Sequence, residues 1–117
     1  MFIFEKLSVW QKARVLVKEI YELTSKFPIE EKYGLCNQIQ RAVISVSSNI
    51  AEGAGRFFAK EKLHFYSIAY GSLLEVASQL ILACDLDYIK RSDFERLEPL
   101  MDEIAKMITG MMKSLKQ

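Results

Sequence analysis

Apolar residues recur along the chain at helical spacing in four blocks, and no stretch alternates as a strand would. The first block covers residues 8–27. Val9, Ala13, Leu16, Val17, Ile20, Leu23, Thr24 and Phe27 share one arc flanked by Trp10 and Tyr21. Lys12, Lys18, Glu19, Glu22 and Lys26 take the solvated side. Ser8 is the expected N-cap, and Pro28 stops the helix by disfavouring helical geometry at Phe27. A connector over 28–34, with one helical turn at Pro28–Glu31, ends at Gly34. The second helix starts near Leu35 and ends at Gly53 and Gly55, and the third spans 59–85. The fourth opens on a capping box, Ser92-Asp93-Phe94-Glu95, with Ser92 as N-cap, and runs to about Leu115. Pro99 lies past its first turn, which predicts a kink or a late start. Leu97, Leu100, Met101, Ile104, Met107, Ile108, Met111, Met112 and Leu115 form its inner arc. Four amphipathic helices with short links predict an all-α, up-down-up-down four-helix bundle, one domain over residues 1–117.

The second helix is the most distinctive. Between Arg41 and Glu52 it has no charged residue, so more than one side is expected to be covered. Projected at 100° steps, it splits into three faces. Leu35, Ile39, Ala42, Val43, Val46, Ile50 and Gly53 make a core arc. Gln38, Arg41, Ser45, Asn49, Glu52 and Arg56 make a polar line. Gln40, Ile44, Ser47, Ala51 and Ala54 make a small, uncharged back face that a second backbone could approach. The third helix is apolar around about half its circumference, from Leu63 to Cys84. Its narrow remaining stripe is Lys60, His64, Ser67, Gly71, Glu75 and Ser78. A mid-helix glycine costs about 1 kcal/mol relative to Ala, so Gly71 is read as a point of close helix contact. Ile44, Ser47, Ala51, Ala54 and Gly71 are therefore the candidate oligomer interface. Gln38, Arg41, Ser45, Asn49, Glu52, Ser72 and Glu75 are a candidate hydrogen-bonded layer between helices or subunits.

Composition narrows the function. The chain has 117 residues, is 50% hydrophobic and carries a formal net charge of +1. It has material for a core and lacks the strongly basic balance of a protein that lives on phosphate backbones. The halves are balanced too, with eight basic and six acidic residues before position 60 and eight and nine after. Cys36 and Cys84 lie among apolar residues without ligand spacing and read as buried free thiols. The apolar N-terminus meets Glu5 and Lys6 too soon for a signal-peptide core, and no run is read as reaching membrane-spanning length. A cytoplasmic protein with no membrane partner is expected.

No catalytic set is visible. His64 is the single histidine, with no carboxylate or thiol at ligand spacing, and there is no Gly-rich phosphate loop. Glu52 and Glu75 could face each other, but the Glu-x-x-His pattern of di-iron bundles is absent. Catalytic residues, cofactor and metal are all expected to be none. Arg41, Arg56, Lys60 and Lys62 are read as a basic cluster at the helix two–three junction, with Tyr33, Phe57 and Phe58 as stacking faces. The competing reading is ordinary ion pairing, such as Glu52 with Arg56.

Several pieces are together distinctive: Leu7-Ser8-Val9-Trp10-Gln11, Phe27-Pro28, Tyr33-Gly34-Leu35, Gln38-Ile39-Gln40-Arg41-Ala42, Ser48-Asn49-Ile50-Ala51-Glu52-Gly53 with Gly55-Arg56, and Ala69-Tyr70-Gly71-Ser72-Leu73-Leu74-Glu75. In this order they resemble the four-helix-bundle proteins encoded in intervening sequences of bacterial 23S ribosomal RNA genes. The resemblance implies a bundle that assembles as a ring, commonly a pentamer, with no known enzymatic activity and no catalytic residues to carry over. A related group, the accessory variability protein of diversity-generating retroelements, is a strongly basic pentamer that works with reverse transcriptase and RNA. The present chain departs from that group in charge. It also has Ser47 where many family members have Pro, and Phe57-Phe58-Ala59 where they are polar.

The expectation is a non-enzymatic homo-oligomeric scaffold or adaptor. The alternative is an RNA-binding module through Arg41, Arg56, Lys60 and Lys62, with RNA or an RNA-processing protein as partner.

Overall fold

The computed structural model describes residues 1–116. Four helices form the bundle: α1 Ser8–Thr24, α2 Leu35–Ala54, α3 Ala59–Asp85 and α4 Arg91–Leu115. Short 3-10 turns lie at Ile3–Lys6 and Ile29–Glu31. Among the described residues there is no strand. The molecule measures 44 × 23 × 23 Å, so its length is essentially that of α3, about 40 Å at 1.5 Å per residue. Each helix packs on its two neighbours in a square: α1 on α2 and α4, α3 on α2 and α4. The α2–α3 seam is the most extensive. The core runs down the centre through Leu16, Ile20, Ile39, Val43, Ile50, Leu80, Ile104 and Ile108.

The helix ends depart from the sequence reading in instructive ways. Ser8 is the first residue of α1 rather than its cap; Leu7 holds the cap position and no side chain bonds there. The helix stops at Thr24, three residues short of Phe27. The next residues turn, with the Phe27 N–H donating to Thr24 O at 3.1 Å, which folds the Phe27 ring inward against Tyr88. Likewise α4 starts at Arg91, and Asp93 rather than Glu95 reaches back, accepting the Lys90 N–H at 2.9 Å. A carboxylate near a helix start satisfies an orphan donor and meets the positive end of the dipole. The late start expected from Pro99 does not occur: α4 is assigned as one helix across it. Pro99 is exposed, so it sits on the side where solvent can satisfy the carbonyl it leaves unbonded.

Glu31 organises the top of the bundle. Its carboxylate accepts the Leu35 N–H at 3.0 Å, capping α2 from four residues upstream, and the Tyr88 hydroxyl at 2.6 Å. These bonds hold its carboxyl below the ordinary range, Tyr88 contributing most, then Leu35. The α3 end is a Schellman turn. The Tyr88 N–H donates to Ala83 O and the Asp87 N–H to Cys84 O, with Asp87 left-handed at φ 62°.

The close contact expected at Gly71 is found at Gly53 instead. Gly53 is the second-last residue of α2, with Gly55 at the C-cap as expected, and a Cβ at Gly53 would stand 2.6 Å from Tyr66 Cε1 and 3.2 Å from Phe65 Cβ. Here α3 packs tightly against α2. At Gly71 a Cβ would meet nothing within 4 Å, so the close contact expected there is not made within the chain.

One further reading is corrected. By length and composition alone α3 is long and apolar enough to cross a membrane, as the core helix of a bundle also can be. A search for unbroken apolar runs misses it because Glu75 and several serines interrupt the sequence. The cause is that α3 is apolar on its outer side as well as its inner one.

Candidate functional site

Three surfaces concentrate what the sequence singled out: the polar seam between α2 and α3, the outer stripe of α3, and the end of the bundle carrying the α2–α3 turn.

In the seam, Ser45 Oγ and Ser72 Oγ share a hydrogen bond of 2.8 Å. Asn49 Nδ2 donates to Ser45 O and Oγ, at 2.8 and 3.0 Å. The organising residue was missed by sequence reasoning. Gln79 is buried, 7% exposed, and its amide donates to Gln38 Oε1 at 3.2 Å and to Glu75 Oε2 at 3.1 Å. Ser72, Glu75 and Gln79 follow i, i+3, i+7 spacing, so the signal was there. Gln79 Oε1 is itself buried without a partner. Glu52 stands outside this network and pairs with Arg56 at 3.5 Å. Arg41 is exposed, between two shallow grooves of about 380 Å³ each, one against α1 with Tyr21 and Ile44, the other against α3 with Ser72 and Glu75.

The outer stripe of α3 carries Ile68, Leu74, Ile81 and Leu82, each between 37% and 53% exposed. Gly71 and Ser78 lie among them, also exposed. On α2, Ile44 is the large apolar residue left open, at 41%. Ser47, Ala51 and Ala54 are half-buried. Gln40, on the same flank, donates to Thr24 Oγ1 of α1 at 3.0 Å, so this face turns toward the chain's own first helix. Of the five candidate interface residues, Ile44 and Gly71 are the exposed ones.

The basic residues do not form one cluster. Arg41 lies in α2 and Arg56 just past its end, fifteen positions on, about 20 Å along the axis. Lys62 Nζ donates to Gly53 O at 3.2 Å and Ala54 O at 3.0 Å, so it caps the negative end of α2. Arg56 pairs with Glu52 and lies 4.5 Å over the Phe65 ring. Lys60 remains exposed, on the rim of a groove of about 690 Å³ with His64, Phe65, Met112 and Lys116. Phe57 and Phe58 are 92% and 70% exposed. Tyr33 is also exposed but belongs to the opposite end, before α2. His64 meets Phe65 edge-on at 5.3 Å. Among the described residues no group of His, Cys, Asp and Glu could hold a metal. Cys36 and Cys84 are half-buried free thiols, and burial is the main influence raising the Cys84 pKa.

No curated protein matches the chain. Its structure is similar to a crystal structure from Bacteroides thetaiotaomicron described as a protein of unknown function from the S23 ribosomal protein family. The TM-score is 0.82 at 24% identity, covering 90% of this chain and 98% of that one. At that identity the likeness carries the fold alone. The sequence itself matches the profile of the 23S rRNA-intervening sequence protein family over residues 5–110. With nearly the whole chain matched, this four-helix bundle belongs to the family of 23S rRNA-intervening sequence proteins.

Proposed function

We propose that the protein is a non-enzymatic, self-assembling bundle that acts in the cytoplasm as a scaffold or adaptor, as a ring whose number the family resemblance puts at five. One observation carries this: α3 leaves Ile68, Leu74, Ile81 and Leu82 exposed along its outer stripe. From Ile68 to Leu82 the stripe is about 21 Å long and 10 Å wide, roughly 200 Å², about a quarter of the ~800 Å² per partner of a standard interface. A second surface, the α1–α2 groove where Tyr21 and Ile44 stand among Asn37, Gln40, Arg41, Ser45, Ser48 and Asn49, lies on the far side of α2. Two different patches favour a heterologous contact, stripe into groove, and such contacts close into rings. Gly71 in the middle of the stripe would let the neighbouring helix come close. Light scattering on the purified protein tests the proposal. A higher oligomer is expected, with dissociation in L74E/L82E, whose changes fall on exposed positions and spare the fold. A wild-type protein that is monomeric at micromolar concentration overturns it.

A second reading, nucleic-acid binding, is favoured by Lys60 beside the exposed Phe57 and Phe58. Its footprint is narrower than the four residues read from sequence, since Lys62 is occupied and Arg41 is distant. RNA binding by fluorescence anisotropy that weakens with salt supports it; absence of binding at low salt removes it.

A further inference from the structure

The end of the bundle that carries the α2–α3 turn also carries the N-terminus. Up-down topology brings the start of α1 beside the end of α2, and the 3-10 turn Ile3–Lys6 packs against both helices. This end gathers five strongly exposed large apolar residues, Met1 and Phe57 at 92%, Phe2 at 73%, Phe58 at 70% and Ile3 at 69%, against Tyr33 at 85% and Ile29 at 82% at the other end. It also gathers Lys6, Lys60, Lys113 and Lys116, all exposed, with Arg56. Its carboxylates are Glu5, bonded to the Phe2 N–H at 2.7 Å, Glu52, paired with Arg56, and Glu61, exposed beside Lys60 in the same groove. The near-zero net charge of the chain conceals the basic excess here, because at the opposite end Glu30, Glu31, Asp85, Asp87 and Asp93 outnumber Lys26, Lys32, Lys90 and Arg91.

We propose that this end docks on an anionic lipid surface. Phe57 and Phe58 enter the headgroup layer while the lysine collar meets lipid phosphates. Exposed apolar side chains inside a ring of lysines are the chemistry of interfacial binding, where apolar burial and attraction to anionic headgroups add. Nucleic acid fits less well. Bases stack on Phe57 and Phe58, but Met1 and Ile3 offer no ring to stack on, whereas lipid accepts all four. The groove beside Lys60 and Lys116 has an apolar floor of Leu63, Phe65 and Met112, suited to a phosphate at its rim and hydrocarbon beneath. The lack of an unbroken spanning run speaks only against crossing the bilayer. Peripheral docking needs only an exposed tip. The proposal holds for one copy, and assembly would strengthen it by avidity.

The test is co-sedimentation of the full-length protein with phosphatidylglycerol–phosphatidylcholine vesicles, and with phosphatidylcholine alone. Binding is expected to the anionic vesicles and not to the neutral ones. F57S/F58S should bind roughly a hundredfold more weakly, from two lost aromatic insertions. K60E/K116E should lose the preference for phosphatidylglycerol. In F57W, the added tryptophan emission should shift to the blue on anionic vesicles, over the constant signal of the half-buried Trp10. No binding to anionic vesicles at low salt overturns the proposal, as does unchanged binding by F57S/F58S. Binding of a single-stranded oligonucleotide in place of vesicles also overturns it, and identifies this end as a nucleic-acid surface.

Discussion

Gly53→Ala tests the tight contact between α2 and the Tyr66 ring of α3. The added methyl would sit 2.6 and 2.8 Å from Tyr66 Cε1 and Cδ1, and 3.2 Å from Phe65 Cβ. Carbon atoms rest comfortably at roughly 3.5–4.0 Å, so the ring must retreat by about 1 Å. Tyr66 is buried, 5% exposed, in an interior packed like an organic crystal, and overpacking there costs about 1–3 kcal/mol. Opposing this is the gain in helix propensity, at most about 1 kcal/mol and smaller here because Gly53 is the second-last residue of α2. The net expectation is destabilisation by about 1–2 kcal/mol, near 4 °C of melting temperature for each kcal/mol. Urea unfolding followed by far-UV circular dichroism measures it, at fixed protein concentration because assembly adds its own stability. In a Tyr66→Leu background the methyl should cost at least ~1 kcal/mol less, a coupling that a double-mutant cycle reads directly. An unchanged or raised urea midpoint in Gly53→Ala would refute the close-packing account, and zero coupling would refute Tyr66 as its cause.

Gly71→Ala should do the opposite to the monomer fold, stabilising α3 by about 1 kcal/mol, while weakening assembly if a neighbouring helix closes on Gly71; chemical denaturation and light scattering read the two effects separately. Asp87→Gly should raise stability by roughly 0.5–1 kcal/mol by relieving the left-handed backbone at the α3 Schellman turn, measured by thermal melting. Gln79→Leu should be nearly neutral or stabilising, since it removes a buried carbonyl without a partner and frees Gln38 and Glu75, both exposed, to bond water; a loss of several kcal/mol in the same melts would show the seam to be essential. Glu31 titrates below its ordinary 4.5, so its contribution is present above that value and is lost as pH falls through the lowered folded pKa. Tyr88→Phe should move the Glu31 carboxyl back toward its ordinary value in an NMR titration.

Helix number, order and inner faces were legible in the chain because each depends on local periodicity. The arcs headed by Val9, Leu35 and Leu97 needed only a 100° step to project; the buried residues of α2 fall on theirs, and those of α4 do except Phe94. The candidate site was legible only in part. Ser45 and Ser72 do meet across the seam, but Gln79 makes the second bond between the stripes, to Gln38. Its role depends on the register of two helices, which neither sequence segment contains. The same limit explains the basic residues. Arg41, Arg56, Lys60 and Lys62 look like a cluster along the chain. Distance along α2 separates the first, and the exposed carbonyls at the end of α2 claim the last.

By itself, then, the sequence determined a four-helix up-down bundle and an α3 too apolar for a single core, since both follow from spacing and composition. Tertiary structure decided which glycine is compressed and which is open, because a glycine's role depends on what faces its missing methyl. It also decided that a nearly neutral chain has one basic, apolar-tipped end. Charges far apart in sequence share an end only once α1, α2, α3 and α4 have alternated direction, and summed composition cannot register that.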